Sequence, residues 1–133
     1  MNRRLLLIAA LAAAPLAAWG QDNGNGVRKK GGGASFIQLD TLTATILRGD
    51  GRRGVMTVEV GVDVADPALH ARAAQSTPLL RAAFSEVLRS YSTGLPPATP
   101  PDADYLERVL QRQTDQTLGR PGARLLLGTI LVN

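Results

Sequence analysis

Apolar and polar residues alternate most sharply over residues 55–64. Met56, Val58, Val60, Val62 and Val64 fall on one face, and Val55, Thr57, Glu59, Gly61 and Asp63 on the other. Strict period two predicts a half-buried strand, antiparallel to the strand before it. Burying its five core-facing side chains is worth on the order of 10 kcal/mol before chain entropy is set against it. Residues 35–47, rich in Thr and Ile, predict that earlier strand. Its parity changes partway: Ile37 and Leu39 share one face, whereas Leu42, Ala44 and Ile46 share the other. A bulge or bend near Asp40 and Thr41 would return both sets to one core. Residues 48–54 form a turn segment, with Gly49, Gly51 and Gly54 free to take positive φ.

The period then changes to that of helices. Asp66 followed by Pro67 marks an N-cap and a proline at the first helical position, opening a short helix to about Gln75. Thr77 and Pro78 repeat the device. The second helix runs to about Tyr91, its apolar stripe formed by Leu80, Phe84, Val87, Leu88 and Tyr91. Residues 94–101, with four prolines, predict a stiff and partly polyproline connector. Asp102 and Asp104 favour a third helix start. Tyr105, Leu106, Val109, Leu110, Gln113 and Thr117 continue it to a stop near Gly119. Residues 124–132 are apolar on both faces and predict an interior strand, or one whose second face meets another subunit. The order β-β-α-α-α-β predicts an α+β fold, a small antiparallel sheet with helices packed on one face.

The start of the chain carries a different pattern. Arg3 and Arg4 precede an apolar run over residues 5–18, and Ala18, Trp19 and Gly20 suit a signal-peptidase site. Residues 1–20 thus predict a signal peptide cut before Gln21, with a twin-arginine variant or an uncleaved anchor as the alternatives. The run of roughly 14 residues would span about 21 Å, short of the ~30 Å hydrocarbon core. Residues 21–34 are polar and glycine-rich and predict a flexible linker; their Arg28, Lys29 and Lys30 could touch anionic lipid. Residues 35–133 form one domain. The predicted location is the periplasm, with inner-membrane association if the leader stays uncut.

Charge and composition narrow the function. The 133 residues hold 15 basic and 11 acidic side chains and no cysteine. Losing Arg3 and Arg4 leaves 13 basic against 11 acidic, too weak a field to predict nucleic-acid binding. Thiol chemistry and thiolate zinc sites are excluded. His70, the one histidine, lies among Ala and Leu in the first helix, and no Gly-x-Ser-x-Gly elbow exists. Asp102, Asp104 and Asp66 fit helix starts. Glu59 and Asp63 share the wet face of one strand. The Gly49–Gly54 region lacks the Lys-Ser/Thr of a phosphate loop. No catalytic, metal or cofactor site is predicted. Arg81 and Arg89 share one helix face, and Arg108 and Arg112 form an i, i+4 pair; these four are the candidate partner-binding residues, for an acidic partner.

Phe36-Ile37-Gln38-Leu39-Asp40, the valine-rich residues 56–64, Thr77-Pro78-Leu79-Leu80-Arg81, Leu88-Arg89-Ser90-Tyr91-Ser92, residues 106–118 and the closing residues 125–133 follow one another in an order and spacing that resembles the periplasmic domain of the flagellar basal body-associated protein FliL family. The resemblance covers about 99 residues. Ala82 stands where that family usually has Asp, Leu126 and Leu127 where an aromatic is usual, and the leader is shorter than the family's membrane-spanning helix. The resemblance implies a stomatin-like, non-enzymatic scaffold that self-associates into rings and supports flagellar motility beside the stator or basal-body components. The alternative is a periplasmic protein-binding module with no motor role.

Overall fold

The computed structural model describes residues 33–133. The predicted signal peptide and nearly all of the predicted linker lie outside the described residues. The sheet contains β1 (Phe36–Gln38), β2 (Leu42–Leu47), β3 (Arg53–Val64) and β4 (Ala123–Val132). Between β3 and β4 come α1 (Pro67–Gln75), α2 (Thr77–Thr93) and α3 (Ala103–Leu118). All strand pairs are antiparallel. β1 pairs with the C-terminal part of β3 and β2 with its N-terminal part, so the two lie end to end along one edge of β3. β4 runs along the other edge. The fold is therefore α+β, with a sheet three strands wide.

The parity change has its expected cause. Phe36 faces Asp63 and Gln38 faces Gly61, but Leu42 faces Val58, so one extra residue is accommodated between β1 and β2. Leu39 still donates its N–H to the Val60 carbonyl across the break (3.1 Å). Leu39, Leu42 and Ile46 consequently all reach the core.

Met56, Val58, Val60, Val62 and Val64 are buried beneath the helices, together with Leu69, Ala73, Leu80, Phe84, Leu88, Leu106, Leu110, Leu118 and Leu125. α2 packs under β2 and α3 under β4. The α3 stripe differs from the sequence expectation: Leu106, Leu110, Thr114 and Leu118 are the buried positions, while Tyr105 is exposed. Thr114 is tolerated there because its hydroxyl donates to the Leu110 carbonyl (2.8 Å).

Several local expectations change in the folded chain. Asp66 caps α1 by accepting from Leu69 N–H, as predicted. Thr77 is not a cap: Ser76 occupies that position between α1 and α2 and makes no side-chain cap bond. The proline connector is not a straight polyproline segment. Thr99 N–H bonds back to the Pro96 carbonyl, and Ala98 takes φ 64°. In the β2–β3 turn only Gly51 has positive φ. Gly54 is a strand residue instead, needed because a Cβ there would sit 2.0 Å from the Asn133 carbonyl oxygen. β4 is an edge strand, so the interior-strand expectation is replaced by one neighbour and one outer edge.

Candidate interaction surface

The outer edge of β4 is closed at its start. Gln111, on the flank of α3, accepts from Leu125 N–H through Oε1 (2.8 Å) and donates through Nε2 to the Ala123 carbonyl (2.8 Å). The same Nε2 donates to Asp115 (3.1 Å). One side-chain amide thus supplies the donor and acceptor that a neighbouring strand would offer. Ala123 and Leu125 are 1% and 2% exposed, so their backbone groups would otherwise be stranded without a partner.

Beyond Leu125 this protection stops. Val55 and Asn133 exchange both backbone hydrogen bonds (3.1 and 3.0 Å). Bonded and non-bonded pairs alternate along an antiparallel ladder. Met56–Val132 and Val58–Ile130 are therefore non-bonded pairs, and the N–H and C=O groups of Ile130 and Val132 point outward. Leu127, opposite Val60, follows the same rule on the other side of a bulge. At that bulge Gly128 and Thr129 oppose Glu59, whose carboxylate accepts from Thr129 N–H (3.4 Å). No hydrogen bond among the described residues reaches the outward groups of Leu127, Ile130 or Val132.

Apolar side chains gather at the same end of the sheet. Leu131 is 56% exposed and Val132 47%. Leu47 and Val55 are also exposed, and the register places them beside Arg53 and Asn133. The face of the sheet away from the helices continues the patch with Thr43, Thr45 and Thr57, then Leu126 and Phe36. Phe36 lies directly over Gly61, where any Cβ would come within 2.4 Å of its ring. On the helical side of this end, a depression of about 530 Å³ is lined by Ile46, Pro100, Pro101, Ile130 and Val132.

A second groove, about 380 Å³, runs between α2 and α3 past Val87, Tyr91, Tyr105 and Val109. Tyr91 and Tyr105 stack with ring centroids 5.7 Å apart. The Tyr91 hydroxyl accepts from Asp102 N–H (2.7 Å) and so ties the start of α3 to α2. Glu86 is the one carboxylate on the groove wall.

The four arginines singled out in the sequence divide into separate roles. Arg81 turns back to donate to the Thr41 carbonyl (3.3 Å), bracing the break between β1 and β2. Its Nε is buried with no acceptor among the described residues. Arg89 pairs with Glu86, which raises its affinity for the proton further. Arg108 and Arg112 are exposed and have no carboxylate partner among the described residues. None of the four lines the groove between α2 and α3.

The remaining candidates sit in structural positions. Asp102 caps α3 by accepting from Tyr105 N–H (3.0 Å). Asp66 accepts from Leu69 N–H (2.9 Å) and from Arg120 (2.9 Å), and these bonds hold its carboxyl below the usual range. Asp63 receives the Ser35 hydroxyl, while Glu59 serves the bulge roughly 13 Å further along the strand. His70 is half-buried, and its Nε2 has no partner among the described residues. Among those residues, no three His, Asp or Glu side chains gather as metal ligands, and no helix is long and apolar enough to cross a membrane.

Gln111 carries no signal in the sequence, where Gln113 looked like the inward-facing glutamine of that helix. The chain matches no family profile, no curated protein and no solved structure.

Proposed function

We propose that this chain is an exported interaction domain of the FliL type, working in flagellar motility by associating with itself and with stator or basal-body components. It performs no reaction of its own. The observation that carries this reading is the unshielded half of β4 beside four exposed apolar side chains. Natural proteins guard such an edge with charge, proline or a covering element. Here the covering device, Gln111, ends at Leu125. The exposed Arg108 and Arg112 add a cationic surface for an acidic protein partner. The groove between α2 and α3 is lined by the stacked tyrosines, Val87 and Val109, with Ser90 and Glu86 on its wall and Glu86 paired with Arg89.

Deleting the gene in its flagellated host tests the motor role. Impaired swimming or swarming, restored by the full chain, is expected; normal motility overturns it. Sequencing the mature N-terminus tests export: a start at Gln21 supports cleavage, and an intact leader in the membrane fraction replaces it with anchoring. If motility is normal but the protein still self-associates, the module has no motor role.

A further inference from the structure

We infer that the open half of β4 is a self-recognition edge, on which a second copy of this chain adds its own β4 antiparallel, about a two-fold axis through Leu131. This rests on the interaction-domain reading and names its partner and geometry. The outward-facing residues dictate the register. Ile130 and Val132 each present a free N–H and C=O, with Leu131 between them facing inward to β3. A two-fold axis at Leu131 sets Ile130 of one copy against Val132 of the other, and the reverse. Both become bonded pairs, which closes four backbone hydrogen bonds at once. Leu131 then meets its own symmetry mate as a non-bonded pair, with Cα atoms about 4.5 Å apart. Its side chain, 56% exposed in the single chain, gains a cross-strand apolar neighbour on the open face.

Three further features favour this occupant. No charged residue lies between Leu125 and Val132, so the strand itself carries no side-chain charge to repel its own copy. A two-fold contact uses the same patch on both sides and closes at two copies, whereas a heterologous contact needs a second, different patch and closes only as a ring of several copies. Residues 21–32 are rich in Gly, Asn and Lys and residues 5–18 in Leu and Ala, compositions poor in the β-branched side chains that favour strand pairing. The joined sheet would be six strands wide. The paired segment is short, so the buried area falls below ~1,200 Å² and the dissociation constant belongs in the micromolar-to-millimolar range.

The chain has no cysteine, so Leu131→Cys introduces a single reporter at the axis. Leu79→Cys, on α2 at 63% exposure, is the collisional control. Protein produced from the full chain is oxidised mildly at several concentrations. Leu131→Cys should form covalent dimer at least ~10-fold faster than Leu79→Cys. Adding Val132→Pro, which removes an outward N–H that β3 does not use, should abolish that advantage. Leu131→Lys in the cysteine-free chain should leave sedimentation monomeric at concentrations where the parent dimerises. Circular dichroism melting keeps the readout clear of unfolding in each variant.

Equal crosslinking rates at the two positions overturn the proposal, as does a parent chain that stays monomeric to about 1 mM. Amide protection at Ile130 and Val132 in such a monomer would instead assign the edge to another part of the same chain. Self-association that survives Leu131→Lys would keep the interaction-domain reading while removing this interface from it.

Discussion

Replacing Gln111 by alanine tests whether one side chain stands in for a missing strand. The substitution removes the acceptor for Leu125 N–H and the donor to the Ala123 carbonyl, both 2.8 Å bonds. A buried backbone group left unpaired costs about 1–3 kcal/mol. Gln111 is itself half-buried, so its truncation lets water reach part of the gap. The two losses together should then cost about 1–3 kcal/mol, not twice that. With a urea m-value of about 1–2 kcal/mol/M for a domain of this size, the midpoint should fall by about 1 M at unchanged m. Gln116→Ala, on the exposed side of the same helix, should stay within about 0.5 kcal/mol. Hydrogen exchange gives the local reading: the Leu125 amide should lose protection well ahead of Leu106 and Leu110 in the core. Gln111→Glu keeps the acceptor for Leu125 but loses the donor and sets a carboxylate beside Asp115. It should be at least as destabilising at neutral pH and recover in acid as that repulsion is titrated away. A midpoint shift no larger than that of Gln116→Ala, with an unchanged Leu125 amide, would show that the edge is not held by this side chain.

Three other outcomes follow from the same geometry. Val60→Asp places an unpaired carboxylate at a position 1% exposed, and the purified protein should show no cooperative thermal transition. Gly61→Val drives a side chain into the Phe36 ring and the Ile37 carbonyl; it should cost about 1–3 kcal/mol and dislodge β1, seen as lost amide protection at Phe36 and Gln38. The Asp66 carboxyl is held low chiefly by Leu69 N–H and then by Arg120, so its contribution is present above the ordinary value of 3.8 and disappears as pH falls through the lowered one. In Asp66→Asn, which still caps the helix, the acid limb of the stability curve should flatten; an unaltered limb would count against this assignment.

The strands and helices were legible because their patterns are local. Residues 56–64 alternate without a break, and the parity change between Ile37 and Leu42 announced an extra residue that the β1–β2 junction contains. Asp66 and Asp102 announced their helix starts through short-range capping chemistry. Other readings failed where a distant segment decides. Gly54 read as a turn glycine, yet its constraint comes from Asn133 across the sheet. Arg81 read as a partner-facing cation, yet the fold turns it toward Thr41. Ser76 serves both α1 and α2, so Thr77 was displaced from the cap by a helix that ends two residues before it.

Periodicity along the chain sufficed for the element types, the α+β class and the burial of the valine face, since each depends on side chains a few residues apart. It could not say that β4 lies at an edge, because a strand apolar on both faces reads alike whether it has one neighbour or two. Tertiary structure decided that, and it also decided where along the edge Gln111 reaches. The amide lies 12 and 14 residues from its backbone partners. Only the packing of α3 against the sheet brings them to hydrogen-bond distance, and the same packing leaves Ile130 and Val132 uncovered.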